Sequence, residues 1–188
     1  MKLIIASDIH GASSYCKKLM DALDEHQPDR LVLLGDMLYH GPRNDVPADY
    51  APKQVIAMLN SIAGSIIAVR GNCEAEVDQM VLDFPCMSEY NIILDPDVQP
   101  AAPATAHAAG KGLELFCTHG HVHTPDNLPN IPAGSVLVYG HTHVKVNGPC
   151  EAFPQIRLFN PGSVGIPKDG SHSYGIYENG EFSHVLID

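Results

Sequence analysis

The sequence has few basic side chains, no long apolar run and no paired cysteines. Its 188 residues carry 11 Lys and Arg against 22 Asp and Glu, a formal net charge of −11. This balance argues against nonspecific binding of long nucleic acids, because such binding needs cations that neutralise phosphates. No apolar stretch approaches the ~20 residues of a membrane span, and the N-terminal run reaches Asp8 too early for a signal peptide. We therefore expect no membrane partner and no long nucleic acid.

The cysteine pattern argues against a disulfide framework and against a zinc finger. There are five cysteines, an odd number, and no Cys-x-x-Cys pair. We therefore expect a reduced, cytoplasmic setting. The length and the 45% hydrophobic content predict a single domain over residues 1–188 with a sizeable core.

Apolar runs and helical periodicity alternate in the first half of the chain. The strands and helices predicted there are, in turn, 2–7, 13–26, 31–34, 52–63, 65–69 and 74–83. This order is typical of βαβ units with parallel strands, and the uninterrupted apolar runs suit strands that are buried on both faces.

The second half of the chain is richer in strands. Its predicted strands are 92–94, 112–118, 136–139, 156–159, 173–178 and 181–187. The last two flank Asn179-Gly180, a pair that favours a tight hairpin turn. The Pro- and Ala-rich segment 95–110 is interpreted as a surface excursion of the same domain and not as a linker.

Side chains that can bind metals follow the predicted strands. Because the carboxyl ends of strands are where α/β sheets form their sites, we expect these side chains to meet at one rim. Gly35-Asp36 and Gly71-Asn72, taken singly, also fit ordinary turns. The complete set of candidate ligands is Asp8, His10, Asp36, Asn72, His119, His141 and His143. Carboxylate, imidazole and amide donors without thiolate suit Mn, Fe, Co, Ni or Zn.

In their order along the chain, these motifs resemble those of the calcineurin-like metallophosphoesterase family. The matching motifs are Asp8-Ile9-His10, Gly35-Asp36, Gly71-Asn72, His119 and Gly140-His141-Thr142-His143. Over nearly its whole length, the chain is most similar to the small bacterial phosphodiesterases of that family. The resemblance implies an α/β fold, a four-layer αββα sandwich around two divalent metals, of which manganese is the one commonly supported.

The resemblance also assigns roles to the candidate ligands. Asp8, His10 and His143 would hold one metal, Asn72, His119 and His141 would hold the other, and Asp36 would bridge both. The implied reaction is hydrolysis of a small phosphodiester by a hydroxide that bridges the two metals. His40 and Arg43, in the loop after Asp36, are candidate phosphate contacts beside the catalytic Asp36 and Asn72.

One position departs from the family pattern. Many members carry Gly-Asn-His-Glu, whose histidine is a candidate general acid, whereas this chain has Gly71-Asn72-Cys73-Glu74. A thiol is a poor substitute for imidazole near neutral pH, so water, a good leaving group or His40 would take over that role.

Three alternatives to a phosphodiesterase stay open in the sequence. A phosphomonoesterase or a nucleotide hydrolase would use the same motifs, and a protein-binding scaffold of the same fold would explain Cys73. The natural substrate and the oligomeric state are also open, with the C-terminal hairpin or residues 95–110 as candidate contacts in a homo-oligomer. Pro161-Gly162-Ser163 is interpreted as an ordinary tight loop, and His121 as a neighbour of the ligands.

Overall fold

Two five-stranded sheets pack face to face in this computed structural model, which describes residues 1–100 and 112–187. The strand order is β10-β9-β1-β2-β3 in the first sheet and β4-β5-β6-β8-β7 in the second. The elements are β1 (Lys2–Ala6), α1 (Ser13–His26), β2 (Arg30–Leu33), α2 (Pro52–Asn60), β3 (Ile66–Ala68), α3 (Glu76–Val81), β4 (Tyr90–Asp95), β5 (Leu113–Thr118), β6 (Val136–Val138), β7 (Lys145–Pro149), β8 (Arg157–Pro161), β9 (Ser173–Glu178) and β10 (Glu181–Leu186).

The strand β1 is apolar from Leu3 to Ala6 because both of its faces are buried there. Ile4 and Ala6 pack on the side of the helices, whereas Leu3 and Ile5 face the second sheet. β1 pairs in parallel with β2, and β2 pairs in parallel with β3. The predicted βαβ arrangement is therefore confirmed.

Helices α1 and α2 cover the outer face of the first sheet. α1 buries Cys16 and Leu19, and α2 buries Val55 and Leu59 in the same cluster. α2 and α3 are shorter than predicted. α2 stops at Asn60, because the chain tightens into a 3-10 turn before β3.

The outer face of the second sheet is covered differently. There, Phe116, Leu137 and Tyr139 pack against Leu128 and Ile131, which belong to the irregular segment between β5 and β6. The expected α/β fold is confirmed. Within the described residues, however, irregular chain replaces helices in the fourth layer, since the segments after β5 lack helical periodicity.

The second sheet contains one strand that the sequence analysis missed. β7 pairs antiparallel with β8 at the sheet edge. It was not predicted because its last two residues, Gly148 and Pro149, have low strand propensity. The predicted hairpin is confirmed, with Asn179 and Gly180 both at positive φ between β9 and β10. The predicted excursion at 95–110 lies outside the described residues from 101 onward. No described helix is long and apolar enough to cross a membrane.

Candidate metal centre

The candidate ligands sit on strained backbone at the carboxyl ends of the strands. A positive φ is uncommon for residues other than glycine and clusters at functional sites. Seven described non-glycine residues have one, and two of these end α1 or form the hairpin turn. The other five are candidate ligands: Asp8, His10, Asp36, His141 and His143. The loops therefore hold their side chains in a backbone geometry that a free chain would rarely adopt.

Asp8, His10 and His143 form what we term the buried half-site. The Oδ1 atom of Asp8 lies 3.3 Å from Nε2 of His143 and 3.6 Å from Nε2 of His10. All three side chains are at most 3% exposed. The other oxygen of Asp8 accepts hydrogen bonds from the Ser7 hydroxyl and from the His141 N–H. Its Oδ1 atom is buried without a hydrogen bond in the described structure and is thus free to bind a cation.

Backbone carbonyls orient the ring nitrogens of three histidines. His10, His119 and His143 each donate a hydrogen bond from Nδ1 to a main-chain oxygen, those of Tyr39, Leu34 and Ile166 respectively. Since a carbonyl can only accept, Nδ1 carries the proton and Nε2 is left to face the centre. This arrangement is typical of metal-binding histidines, whose outer partners fix the tautomer.

Asn72, His119 and His141 form the open half-site. The Nε2 atom of His119 lies 3.1 Å from Oδ1 of Asn72 and 3.2 Å from Nδ1 of His141. His119 is buried, but Asn72 is exposed and His141 is only partly buried. None of these three side chains is a carboxylate. The open half-site therefore offers three donors without negative charge at the solvent side of the centre.

The carboxylate of Asp36 lies between the two half-sites. Its Oδ2 atom is 3.7 Å from Nε2 of His10, and its Oδ1 atom is 3.5 Å from Nε2 of His119. The N–H of Cys73 donates to Oδ1 at 2.8 Å. Asp36 is thus placed to share one oxygen with each half-site, as a bridging ligand requires.

Glu74 holds the two loops that carry Asp36 and Asn72. Its buried carboxylate accepts main-chain N–H bonds from Asp36, Met37 and Gly71. Burial and the charge of Asp36 raise its pKa to about 7, against the effect of the three donors. A single side chain thereby ties the ends of β2 and β3 together.

The charges of the centre are mutually stabilised. Burial alone would raise the pKa of the Asp8 carboxyl, but the interactions with His10, His143 and His119 hold it well below its usual range. Burial would likewise lower the pKa of His119, and Asp36 together with Asp8 raises it to about 9. Burial also opposes the ionisation of Asp36, but its interaction with His119 lowers the pKa of that carboxyl. Both carboxylates therefore favour the ionised form and attract cations. The orphan Oδ1 of Asp8 and the oxygen and imidazole donors fit divalent metals.

A cavity of about 370 Å³ opens onto the centre. Among the residues that line it are Asp36, Arg43, Asn72, Cys73, His141 and His143. His40 is not among them, because its ring packs edge-on against Tyr39 and Tyr50. The structure thus brings the seven candidate ligands together with Arg43 beside them, and it places His40 outside the cavity.

Residues near the predicted ligands contribute in ways that the sequence analysis missed. The Ser163 hydroxyl donates to the carbonyl of Asp8 and accepts the N–H of Ile166, so the loop at 161–163 supports the buried half-site. Gly71 and Gly140 must be glycines, because a Cβ there would overlap Asp36 and Ser7 respectively. His121 is exposed, and its ring lies 5.2 Å from that of His119.

Comparison with known proteins shows the family of the chain. The model of the calcineurin-like phosphoesterase superfamily domain matches residues 1–181. The chain belongs to the calcineurin-like phosphoesterase superfamily. The members of that superfamily are metal-dependent hydrolases that use divalent cations, so the expectation of an enzyme of this class is confirmed.

One relative from Escherichia coli, matched in both sequence and structure, and one archaeal structure illustrate the similarity. The chain is 42% identical to phosphodiesterase YfcE of strain K12, over 100% of this chain and 93% of that protein. It superposes on a solved structure of the phosphoesterase Yfce with a TM-score of 0.83, at 40% identity and full coverage of both chains. An archaeal phosphodiesterase shares the fold, with a TM-score of 0.65 at 19% identity and full coverage of both chains. The expected similarity to small bacterial phosphodiesterases is confirmed.

Proposed function

We propose that the protein is a metal-dependent phosphodiesterase that hydrolyses small phosphodiesters. The observation that carries this proposal is the position of Asp36 between two half-sites, on the wall of an open cavity. The similarity to phosphodiesterase YfcE over the whole chain supports the same reaction. Asp8, His10 and His143 would hold one metal, Asn72, His119 and His141 the other, and Asp36 both.

The chain's own residues position the substrate and the metals. Two divalent metals would lower the pKa of bound water and stabilise negative charge on the phosphate oxygens. Asp36 would connect the two half-sites through its carboxylate. Asn72 offers an oxygen donor without adding negative charge. The guanidinium of Arg43, on the cavity wall, can bind two phosphate oxygens at once. Cys73 stays a neutral thiol, since burial and the charge of Asp36 raise its pKa.

We also propose that the metal is manganese and that the protein is located in the cytoplasm. Carboxylate, amide and imidazole donors suit manganese, and iron, nickel, cobalt and zinc would fit the same ligands. All five cysteines are free, which supports a reducing compartment. The acidic surface favours small diesters over long nucleic acids, because it repels polyanions away from the metals.

The test is reconstitution of metal-free protein with Mn²⁺, Zn²⁺, Co²⁺ or Ni²⁺, followed by turnover of bis(4-nitrophenyl) phosphate and of 4-nitrophenyl phosphate. We expect turnover of the diester to depend on added metal and to exceed that of the monoester. Faster turnover of the monoester would point to a phosphomonoesterase. No turnover of either ester with any of the four metals would contradict the enzymatic proposal and favour the scaffold.

A further inference from the structure

Lys168 is a second cation on the wall of the cavity, and the candidate centre described above does not use it. Its exposed side chain lines the same cavity as Arg43 and Asn72. Within the described residues, no carboxylate lies within ion-pair distance of its ammonium group, and the same holds for Arg43. Neither cation on the cavity wall therefore has an ion-pair partner among the described residues.

Hydrogen bonds hold the loop in place on both sides of Lys168. The N–H of Lys168 donates to the carbonyl of His143 at 3.0 Å, and the carbonyl of Ile166 accepts from the His143 ring. On the other side, Lys145 binds the carboxylate of Asp169 through both its main-chain N–H and its ammonium group, each at 2.7 Å. The backbone of Lys168, from which its side chain extends, is thus fixed relative to the buried half-site.

This anchoring also leaves the charge of Lys168 uncompensated. Asp169 is the neighbouring carboxylate in the chain, and its ion pair with Lys145 occupies both of its oxygens. The two partners are about one-fifth exposed, so the pair is partly shielded from water. The described ion-pair partner of Asp169 is therefore Lys145 and not Lys168.

The described lining residues of the cavity carry a net positive charge. Asp36 is the one acidic residue among the described lining residues, whereas Arg43 and Lys168 are basic. The two cations come from different sheets, since Arg43 follows β2 and Lys168 follows β8. Divalent metals would add further positive charge, while a phosphodiester brings a single negative one. A cavity of about 370 Å³ has the volume of a small-molecule site.

We propose that Lys168 is a specificity-determining residue that binds a second anionic group, carried on the non-leaving arm of the phosphodiester. The preferred substrates are then diesters with an additional carboxylate or phosphate, and Arg43 remains the contact of the phosphate that is cleaved. This inference rests on the proposed phosphodiesterase function. It narrows the substrate class of the same site.

The test compares three esters that share the 4-nitrophenyl leaving group. The reference is 4-nitrophenyl phenyl phosphate, and the other two carry a carboxylate or a phosphonate at the para position of the phenyl ring. We expect the unmodified protein to have a lower KM for at least one of the charged esters than for the reference. Lys168→Met should reduce that preference about fivefold, the size of an exposed ion pair of about 1 kcal/mol, and Lys168→Arg should retain most of it.

Lys53→Met is the matched control, because it removes the same charge from an exposed position on α2 that is not part of the cavity. It should leave the preference unchanged. An equal loss for all three esters in Lys168→Met, or no preference in the unmodified protein, would overturn the inference while diester hydrolysis persisted. Absence of turnover of the reference ester would instead be a failure of the proposed function.

Discussion

The buried and the open half-sites differ in charge, exposure and support. The buried half-site contains the carboxylate of Asp8, and its three side chains are nearly inaccessible to solvent. The open half-site contains no carboxylate of its own, and Asn72 and His141 lie on the cavity wall. We infer that the buried half-site binds its metal more tightly, because it combines a charged donor with a low-dielectric environment.

We therefore expect the two metals to differ in how tightly they bind and in how close they lie to the substrate. A tightly held metal in the buried half-site would fix the loops after β1 and before β7. A metal in the open half-site would be more exchangeable and closer to the substrate. Asp36 lies between the two half-sites, so its removal should have the largest effect on turnover.

Asp36→Asn should reduce kcat/KM for a diester about thousandfold or more. The change removes the shared charge, and metal-ion stabilisation of phosphoryl transfer is worth several kcal/mol. Turnover at saturating metal measures this effect, with bound metal determined in the same samples. Asp21→Asn, on the exposed face of α1, is the matched control. A loss of less than tenfold would mean that Asp36 does not bridge the half-sites.

Asp8→Asn and Asn72→Ala should separate the half-sites. We expect Asp8→Asn to weaken the tighter metal about a hundredfold, because a buried charged donor is lost. Asn72→Ala should weaken the weaker metal about tenfold, as one neutral donor is removed. Calorimetric titration of metal-free protein measures both. If Asn72→Ala weakened the tighter site, the assignment of the two half-sites would be reversed.

Glu74 and Ser163, which hydrogen-bond to the loops of the centre, should also differ in how much they stabilise the fold. Glu74→Gln should lower the free energy of unfolding by about 3 kcal/mol, because the amide nitrogen cannot accept and would face at least one of the buried N–H groups that Glu74 binds. Ser163→Ala, which removes hydroxyl bonds beside the buried half-site, should cost about 1 kcal/mol. Urea unfolding of the metal-free variants provides both values. Glu178→Gln is an exposed control, and equal losses in the Glu74 and Ser163 variants would contradict the ranking.

Cys73→Ser should have the smallest effect on turnover. The thiol lines the cavity but carries no charge, so we expect at most a threefold to fivefold loss of kcat, on the order of 1 kcal/mol. Steady-state kinetics with diesters of good and poor leaving groups measures it. A thousandfold loss that grows with the pKa of the leaving group would instead identify Cys73 as the proton donor.

The sequence predicted the parallel strands β1, β2 and β3 and the grouping of the ligands for a simple physical reason. β1 and β2 are short apolar runs buried on both faces, and Asp8 and Asp36 follow them directly. β7 was missed because edge pairing with β8, and not its own composition, makes it a strand. That residues 1–188 form a single domain stays a prediction.

The finer features of the centre depend on tertiary contacts. No local pattern indicates that Glu74 accepts three N–H groups from two loops, or that Ser163 supports Asp8 from a distant part of the chain. The spacing after β2 also gave no signal that the ring of His40 turns towards Tyr50. The motif Gly71-Asn72-Cys73-Glu74 was the one local signal for the region around Glu74, because it places this glutamate beside the candidate ligand Asn72.

The most direct test of a two-metal phosphodiesterase with unequal half-sites is a titration of metal-free protein with Mn²⁺. Bound metal and turnover of bis(4-nitrophenyl) phosphate are measured at each step. We predict that the first equivalent binds tightly with little turnover, and that turnover rises as a second, weaker equivalent binds. Full turnover after one equivalent, or none after two, would contradict the account.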